Sequence, residues 1–391
     1  MKSYVLNTYA RTVKENFVKG KGVYLYTDKG DRYLCFSSGI SCTNLGYQHK
    51  HLVKTMKEMA DKPWHLSNLF LIKEQERFAE RICEFTKFDA VGLQNSGTEA
   101  VELAIKAAVK YFHSIGKPEK NRLLVCSPGF HGRTIAAMSA GNNPKHTKGF
   151  PILNIFDHFE FGNHEQFKEK ITDKTCAILI EAIQGEQGLS VMSDNSLKEL
   201  RDLCDEKGIL LICDEVQSGY YRTGKFFAYQ HANIKKPDIV TFAKSCANGI
   251  ACGGTLMVKK VASAFEIGSH GSTFAGGPLA MSMANAVLDV MLEDGFAKHV
   301  QEVSKYFHEK LNNIKNKFPN IIKEIRGKGL MVGICMVDEP SKFMEQLLKN
   351  KLITVKSASN VIRLYPPLII KKEDITTGIK ILEKTCKEYK S

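Results

Sequence analysis

Five short runs of apolar and β-branched residues recur at residues 90–93, 123–127, 177–181, 209–214 and 239–243, and helical segments separate most of them. Runs this short and this apolar suit strands buried on both faces, and strands that alternate with helices build a mainly parallel sheet. Right-handed crossovers then gather the useful strand ends on one edge, where ligands bind. The predicted fold class is α/β, with a mainly parallel sheet flanked by helices in a large domain.

Two of these runs end in chemistry. The fourth delivers Asp214 and the fifth delivers Lys244, so one sheet edge presents an anion and an amine. An amine reached through a buried strand loses proton affinity by desolvation and can attack a carbonyl to give a Schiff base. Pyridoxal phosphate is the cofactor that uses such a lysine, and a carboxylate beside its ring nitrogen keeps that nitrogen protonated. Taken singly, Asp214 also reads as a structural or metal residue and Lys244 as a surface lysine. The pair needs a phosphate site beside it.

The turn NSGTEA, residues 95–100, follows the first run and opens a helix on which Ala100, Leu103, Ala104, Ala107 and Tyr111 recur at helical spacing. The small residues Ser96, Gly97 and Thr98 leave backbone N–H groups bare at the helix start, an anion cup suited to phosphate. As a bare pattern the same turn reads as plain capping. After the second run comes SPGFHGRTIAAMS, residues 127–139, where Phe130 can cover the face of a flat ring and Arg133 offers a planar fork for a carboxylate. His131 reads as hydrogen-bonding support for that loop.

The segment CDEVQSGYYRTG, residues 213–224, with a lysine followed by a Gly-rich tail, resembles the class III pyridoxal-phosphate aminotransferases. The likeness covers residues 9–368. It implies the fold type I architecture of pyridoxal-phosphate transferases, with Lys244 and Asp214 as catalytic residues. It implies cofactor contacts from Ser96, Gly97, Thr98, Phe130, Val216 and Gln217, and from Thr273 in GSTFAGGP, lent by the second subunit of a homodimer. It further implies substrate contacts from Arg133, Ile40, and the pair Glu186 and Arg363, in EAIQGEQG and VIRLYPPL, which opens and closes to admit two unlike substrates. No residue is assigned to a metal.

Three departures stand out from the family pattern. Ile40 stands where ornithine-type members carry tyrosine, Ala182 where proline is common, and Ser245, Cys246 and Ala247 where glycines are usual. Ile40 also reads as packing alone. The resemblance implies transfer of the terminal amino group of N2-acetylornithine to 2-oxoglutarate, giving N-acetylglutamate 5-semialdehyde and glutamate in arginine biosynthesis. Succinyldiaminopimelate, ornithine and 4-aminobutyrate are alternative donors.

The chain of 391 residues carries a formal charge of +13, which raises a second class of function, nucleic-acid binding. Its lysines are interleaved with acids, as in KEKITDK at residues 168–174, with no basic block or stacking pattern, so a solvated surface is the better reading. Eleven cysteines without a CxxC pair argue for free thiols. The first 21 residues lack a secretory apolar stretch and nothing resembles a membrane span, so a cytoplasmic protein is expected.

Three regions are expected. Residues 1–60 read as an N-terminal arm with a small antiparallel ribbon, at 23–26 and 33–36, and a helix near 51–62. Residues 61–294 read as the large cofactor-binding domain. Residues 295–391 read as the C-terminal part of a smaller α+β domain, with a helix at 296–318, strands at 321–326 and 330–337, and helices near 341–350 and 373–390.

Overall fold

The computed structural model of the chain describes residues 4–389, so the expected helix end at Lys390 and the outer limits of the two terminal regions lie outside the described residues. A seven-stranded sheet forms the centre, in the order 90–94, 253–257, 239–242, 210–214, 175–180, 122–127, 156–160. All five expected runs are strands in it, each within two residues of the expected bounds. Every residue of Thr175–Ile180, Leu210–Asp214 and Ile239–Phe242 is buried, which is why these runs lack polar alternation.

Two strands of the sheet lie outside the expected five. Phe156–Glu160 is an edge strand, and its sequence FDHFE mixes charge with apolar residues because one side faces no neighbour. Gly253–Met257 runs antiparallel to both of its neighbours, Ile239–Phe242 and Ala90–Gln94. Its two leading glycines look like loop residues in sequence, yet they serve close packing. A Cβ on Gly254 would lie 2.5 Å from the Phe242 ring, and one on Gly253 would lie 2.7 Å from the Ser96 carbonyl oxygen. The glycines therefore seat this strand against the turn at residues 95–100.

The N-terminal ribbon is antiparallel as expected and gains a third strand, Phe17–Lys21. Its far edge pairs in parallel with Leu352–Ile353, so the two ends of the chain share one sheet. A second small sheet, in the order 322–328, 331–336, 361–364, 355–356, carries Arg363. Helices Phe296–Lys317, Ser341–Lys349 and Lys372–Glu388 match the C-terminal expectation. Among the described residues no helix is long and apolar enough to cross a membrane.

Candidate active site

Three adjacent strands each bring an ionisable group to the same sheet edge. Thr175–Ile180 leads to Glu181, Leu210–Asp214 ends on Asp214, and Ile239–Phe242 leads through Ala243 to Lys244. Cys213 pairs with Ile180 on one side and Val240 on the other, so Glu181 and Asp214 are level and Lys244 follows three residues beyond Thr241, the partner of Asp214.

Lys244 opens a single 3-10 turn, Lys244–Ala247, with φ of +41°. A residue with a side chain is strained there, and such strain persists where the surroundings fix it. Burial lowers the pKa of Lys244 below the ordinary lysine value, against Glu186, Cys42 and Asp214, which favour its charged form. The amine reaches a cavity of about 240 Å³ that Gly97, Thr98, Phe130, Arg133, Val216 and Gln217 also line. Asp214 lies in the same wall.

Asp214 is buried and ringed by donors. Its Oδ1 accepts from the Thr241 hydroxyl at 2.9 Å and the Val216 N–H at 3.1 Å, and its Oδ2 lies 2.7 Å from His131 Nδ1. These contacts fix the orientation of the carboxyl group. His131 thus braces Asp214 rather than only its own loop, a role that the loop sequence does not disclose. Burial works to lower the His131 pKa, but the hydrogen bond and charge of Asp214, with Glu181, leave it above the ordinary value.

Glu181 also lines the cavity, and its Oε2 accepts the Phe130 N–H at 3.0 Å. Burial, aided by the charge of Asp214, pushes its carboxyl up to about 7, against His131, the Phe130 N–H and Lys244. The available sequence signal was a strand-end carboxylate one strand over from Asp214.

The turn at residues 95–100 caps its helix and leaves N–H groups open. The Ser96 hydroxyl accepts the Glu99 N–H at 3.3 Å while Glu99 Oε2 accepts the Asn95 N–H at 2.8 Å, a reciprocal cap on helix Gly97–Ser114. The Ser96 hydroxyl also donates to Glu99 Oε2 at 3.2 Å. Gly97 and Thr98 face the cavity at the first turn, where N–H groups have no intrahelical acceptor. A Cβ on Gly97 would lie 2.6 Å from Val216 Cγ1, so glycine alone lets this helix end meet the cavity wall.

Gln217 links the cavity to the expected gate. Its Nε2 donates to Glu186 Oε1 at 3.4 Å, and its Oε1 accepts from the Tyr365 hydroxyl at 2.9 Å. Arg363 forms an ion pair with Glu186 and donates to the Lys356 carbonyl at 2.9 Å. Burial works to raise the Glu186 carboxyl, but Arg363, Lys244 and Gln217 overcome it and hold it below the ordinary carboxylate value. Arg133 is exposed at the mouth, with its guanidinium 5.6 Å from the centre of the Phe130 ring.

Ile40 and Thr273 stand apart. Ile40 lies in the turn Ser38–Ser41 at φ +59° and packs on a cluster that includes Tyr365. Thr273 is exposed on the loop after His270 and does not line its own chain's cavity.

Pyridoxal phosphate carries an aldehyde, a ring nitrogen, two flat faces and a phosphate. The cavity offers a desolvated amine, a donor-ringed carboxylate, Phe130 and Val216 side chains, and an open helix N-terminus. These residues fit the group.

Comparison with known proteins agrees. The model of the family aminotransferase class-III matches residues 7–386. An acetylornithine aminotransferase from Agrobacterium fabrum is 43% identical over 380 residues, covering 97% of this chain and 95% of that protein. A crystal structure of acetylornithine aminotransferase from Elizabethkingia anophelis matches with a TM-score of 0.88 and 31% identity, covering 98% of this chain and 96% of that one. A structure of ornithine aminotransferase from Toxoplasma gondii, described with partial occupancy of pyridoxal phosphate at its active site, matches with a TM-score of 0.93 and 28% identity, covering 98% and 92%.

Proposed function

The chain belongs to the class III aminotransferases, and on that premise we propose that it moves the terminal amino group of N2-acetylornithine to 2-oxoglutarate. As a transaminase of this family it takes an amino donor and a keto acid, and pyridoxal phosphate is the cofactor the family implies. The choice of donor is supported by the name of the Agrobacterium fabrum relative and by Ile40, an apolar residue where ornithine-type members carry tyrosine. The observation that carries the reading is the desolvated Lys244 amine beside the buried Asp214 carboxylate in one cavity.

When bound, pyridoxal phosphate supplies a carbon that takes up the donor's amine and a ring that draws electrons from the substrate carbon. Lys244 Nζ would hold the cofactor and, with its pKa lowered by burial, would act as the base that moves the substrate proton. Asp214 would pair with the ring nitrogen of the cofactor. Gly97 and Thr98, with Ser96 capping their helix, would bind the phosphate through the helix N-terminus. Phe130 and Val216 would cover the ring faces, and Gln217 would orient the ring edge. Arg133 would grip the carboxylate of the substrate far from the reacting amine.

Glu186 and Arg363 sort the two substrates. Paired, they present a neutral wall to the donor; separated, they free Arg363 for the second carboxylate of 2-oxoglutarate. Arg363→Ala is expected to lower kcat/KM for 2-oxoglutarate by roughly 10²-fold, the worth of a bidentate charged contact, while the donor half-reaction changes by less than about threefold. Single-turnover measurement of each half-reaction separates the two.

We also place the enzyme in the cytoplasm as a homodimer in which Thr273 of each chain reaches the phosphate in the other. In support, the Asn68 side chain donates to the carbonyls of Ser272 and Ala275 at 3.2 Å and 3.3 Å, tying together two segments that expose Leu69, Phe70, Leu71 and Phe274. An apolar patch of that kind marks an interface. The arm 1–60, the large domain 61–294 and the small-domain part 295–391 are the units of this reading.

Turnover with acetylornithine, succinyldiaminopimelate, ornithine and 4-aminobutyrate, each against 2-oxoglutarate, tests the donor. Acetylornithine is expected to give the highest kcat/KM. A higher value for any of the others overturns the choice.

A further inference from the structure

We infer that Glu181 is a positioning residue, which holds His131 as an imidazolium and through it fixes the orientation of Asp214 beneath the cavity. The inference rests on the proposed role of Asp214.

His131 is buried between two carboxyl groups. Its Nδ1 meets Asp214 Oδ2 at 2.7 Å, and its Nε2 is buried without a hydrogen-bond partner. That second nitrogen and the Glu181 carboxyl both lie close to Gly129. A Cβ built on Gly129 would lie 3.2 Å from His131 Nε2 and 3.3 Å from Glu181 Oε2, so both atoms crowd one glycine. A side chain at position 129 would press on both the carboxyl and the imidazole, so glycine leaves them room on the same side of the loop.

A neutral imidazole would leave one nitrogen unprotonated in a site flanked by two acids, whereas an imidazolium offers a positive charge to both. Asp214 then receives a charged donor, the stronger kind, in addition to the Thr241 hydroxyl and the Val216 N–H. Glu181 adds a second constraint by accepting the Phe130 N–H, which fixes the loop that carries the ring-covering side chain. One carboxyl therefore braces two of the groups that would contact the cofactor.

The other groups nearby are few. Glu181 also faces Lys244, and Cys126 feels its charge; His158 on the neighbouring edge strand feels the charge of His131. Cys126 has its thiol pushed up by burial, and His158 is lowered chiefly by burial, so neither competes for the His131 proton near neutrality. The Glu181 carboxyl, raised to about 7, ionises as pH climbs past neutrality, where an unassisted imidazolium would be shedding its proton. The sign follows: the assistance is present above about pH 7 and lost below it.

Nitrogen-15 histidine NMR of the cofactor-free protein tests this directly, with the His131 signals assigned by their loss in His131→Gln. In the wild type both ring nitrogens are expected to be protonated at pH 8. In Glu181→Gln, which retains an acceptor for the Phe130 N–H, the ring is expected to be neutral at pH 8, and Glu181→Asp is expected to restore the charged form. The loaded enzyme should lose roughly tenfold in kcat in Glu181→Gln with KM nearly unchanged. A neutral His131 in the wild type at pH 8, or identical His131 signals in Glu181→Gln, overturns the inference. Loss of the Asp214 role would show separately, as full turnover in Asp214→Ala.

Discussion

Lys244→Ala is expected to abolish transamination, with kcat lower by roughly 10³-fold or more, and to leave a protein that shows no Schiff-base absorbance after incubation with pyridoxal phosphate. The size of the effect follows from two jobs resting on one atom. Nζ is the amine beyond the Ile239–Phe242 strand, its proton affinity is lowered by burial, and in the proposed chemistry it serves as both nucleophile and base. Lys244→Arg should fail as completely, because a guanidinium keeps its proton throughout the working range. Folding should be spared: the side chain belongs to the cavity and its removal relieves the cost of a desolvated charge. An unchanged melting temperature with lost activity is the expected pair of results. Turnover that survives Lys244→Ala refutes the proposed chemistry.

The parts of this architecture that were legible in the sequence are those with a local cause. A strand buried on both faces must be apolar throughout, so Leu210–Asp214 and Ile239–Phe242 announce themselves, and the polar residue that ends such a run must sit at the sheet edge. Helix Gly97–Ser114 declares itself by its small-residue start and apolar stripe. Gly253–Met257 is hidden because its glycines have a tertiary cause, close approach to Phe242 and Ser96, that no local pattern reports. The links His131–Asp214 and Gln217–Tyr365 are hidden for the same reason. They join residues 83 and 148 positions apart, and only the register of the sheets brings them together. Ile40 shows the converse. Its identity is plain in the sequence, but its left-handed backbone is imposed by what surrounds the turn.

That turn depends on Arg222, and Arg222→Ala is expected to cost on the order of 3 kcal/mol of stability, read as a lower urea midpoint. The guanidinium is fully buried without a carboxylate partner; burial pushes its pKa down to about 9, with Tyr365 and Cys42 opposing. Its donors instead satisfy neutral oxygens: the Pro366 carbonyl at 2.7 Å, the Leu330 carbonyl and the Ser41 hydroxyl at 3.1 Å each, and the Asn44 side chain. Two terms compete on deletion. Removing a desolvated charge relieves several kcal/mol, yet four buried acceptors lose a charged donor worth about 1.5–3 kcal/mol each, and a cavity opens where the largest fully buried side chain stood. The losses win. Arg222→Met, which keeps most of the volume but none of the donors, separates the cavity from the hydrogen bonds and should recover about 1 kcal/mol. Function should suffer in both variants. Ser38, Ile40 and Ser41 hold φ values of +45°, +59° and +70°, a strained run pinned where the Ser41 hydroxyl meets Arg222 and the Gln217 carbonyl. Once released, the turn relaxes and displaces Ile40 from the cluster around Tyr365, so KM for the donor should rise while the absorbance of bound cofactor persists. A urea midpoint equal to that of the wild type in Arg222→Ala would show that the turn is held without the guanidinium.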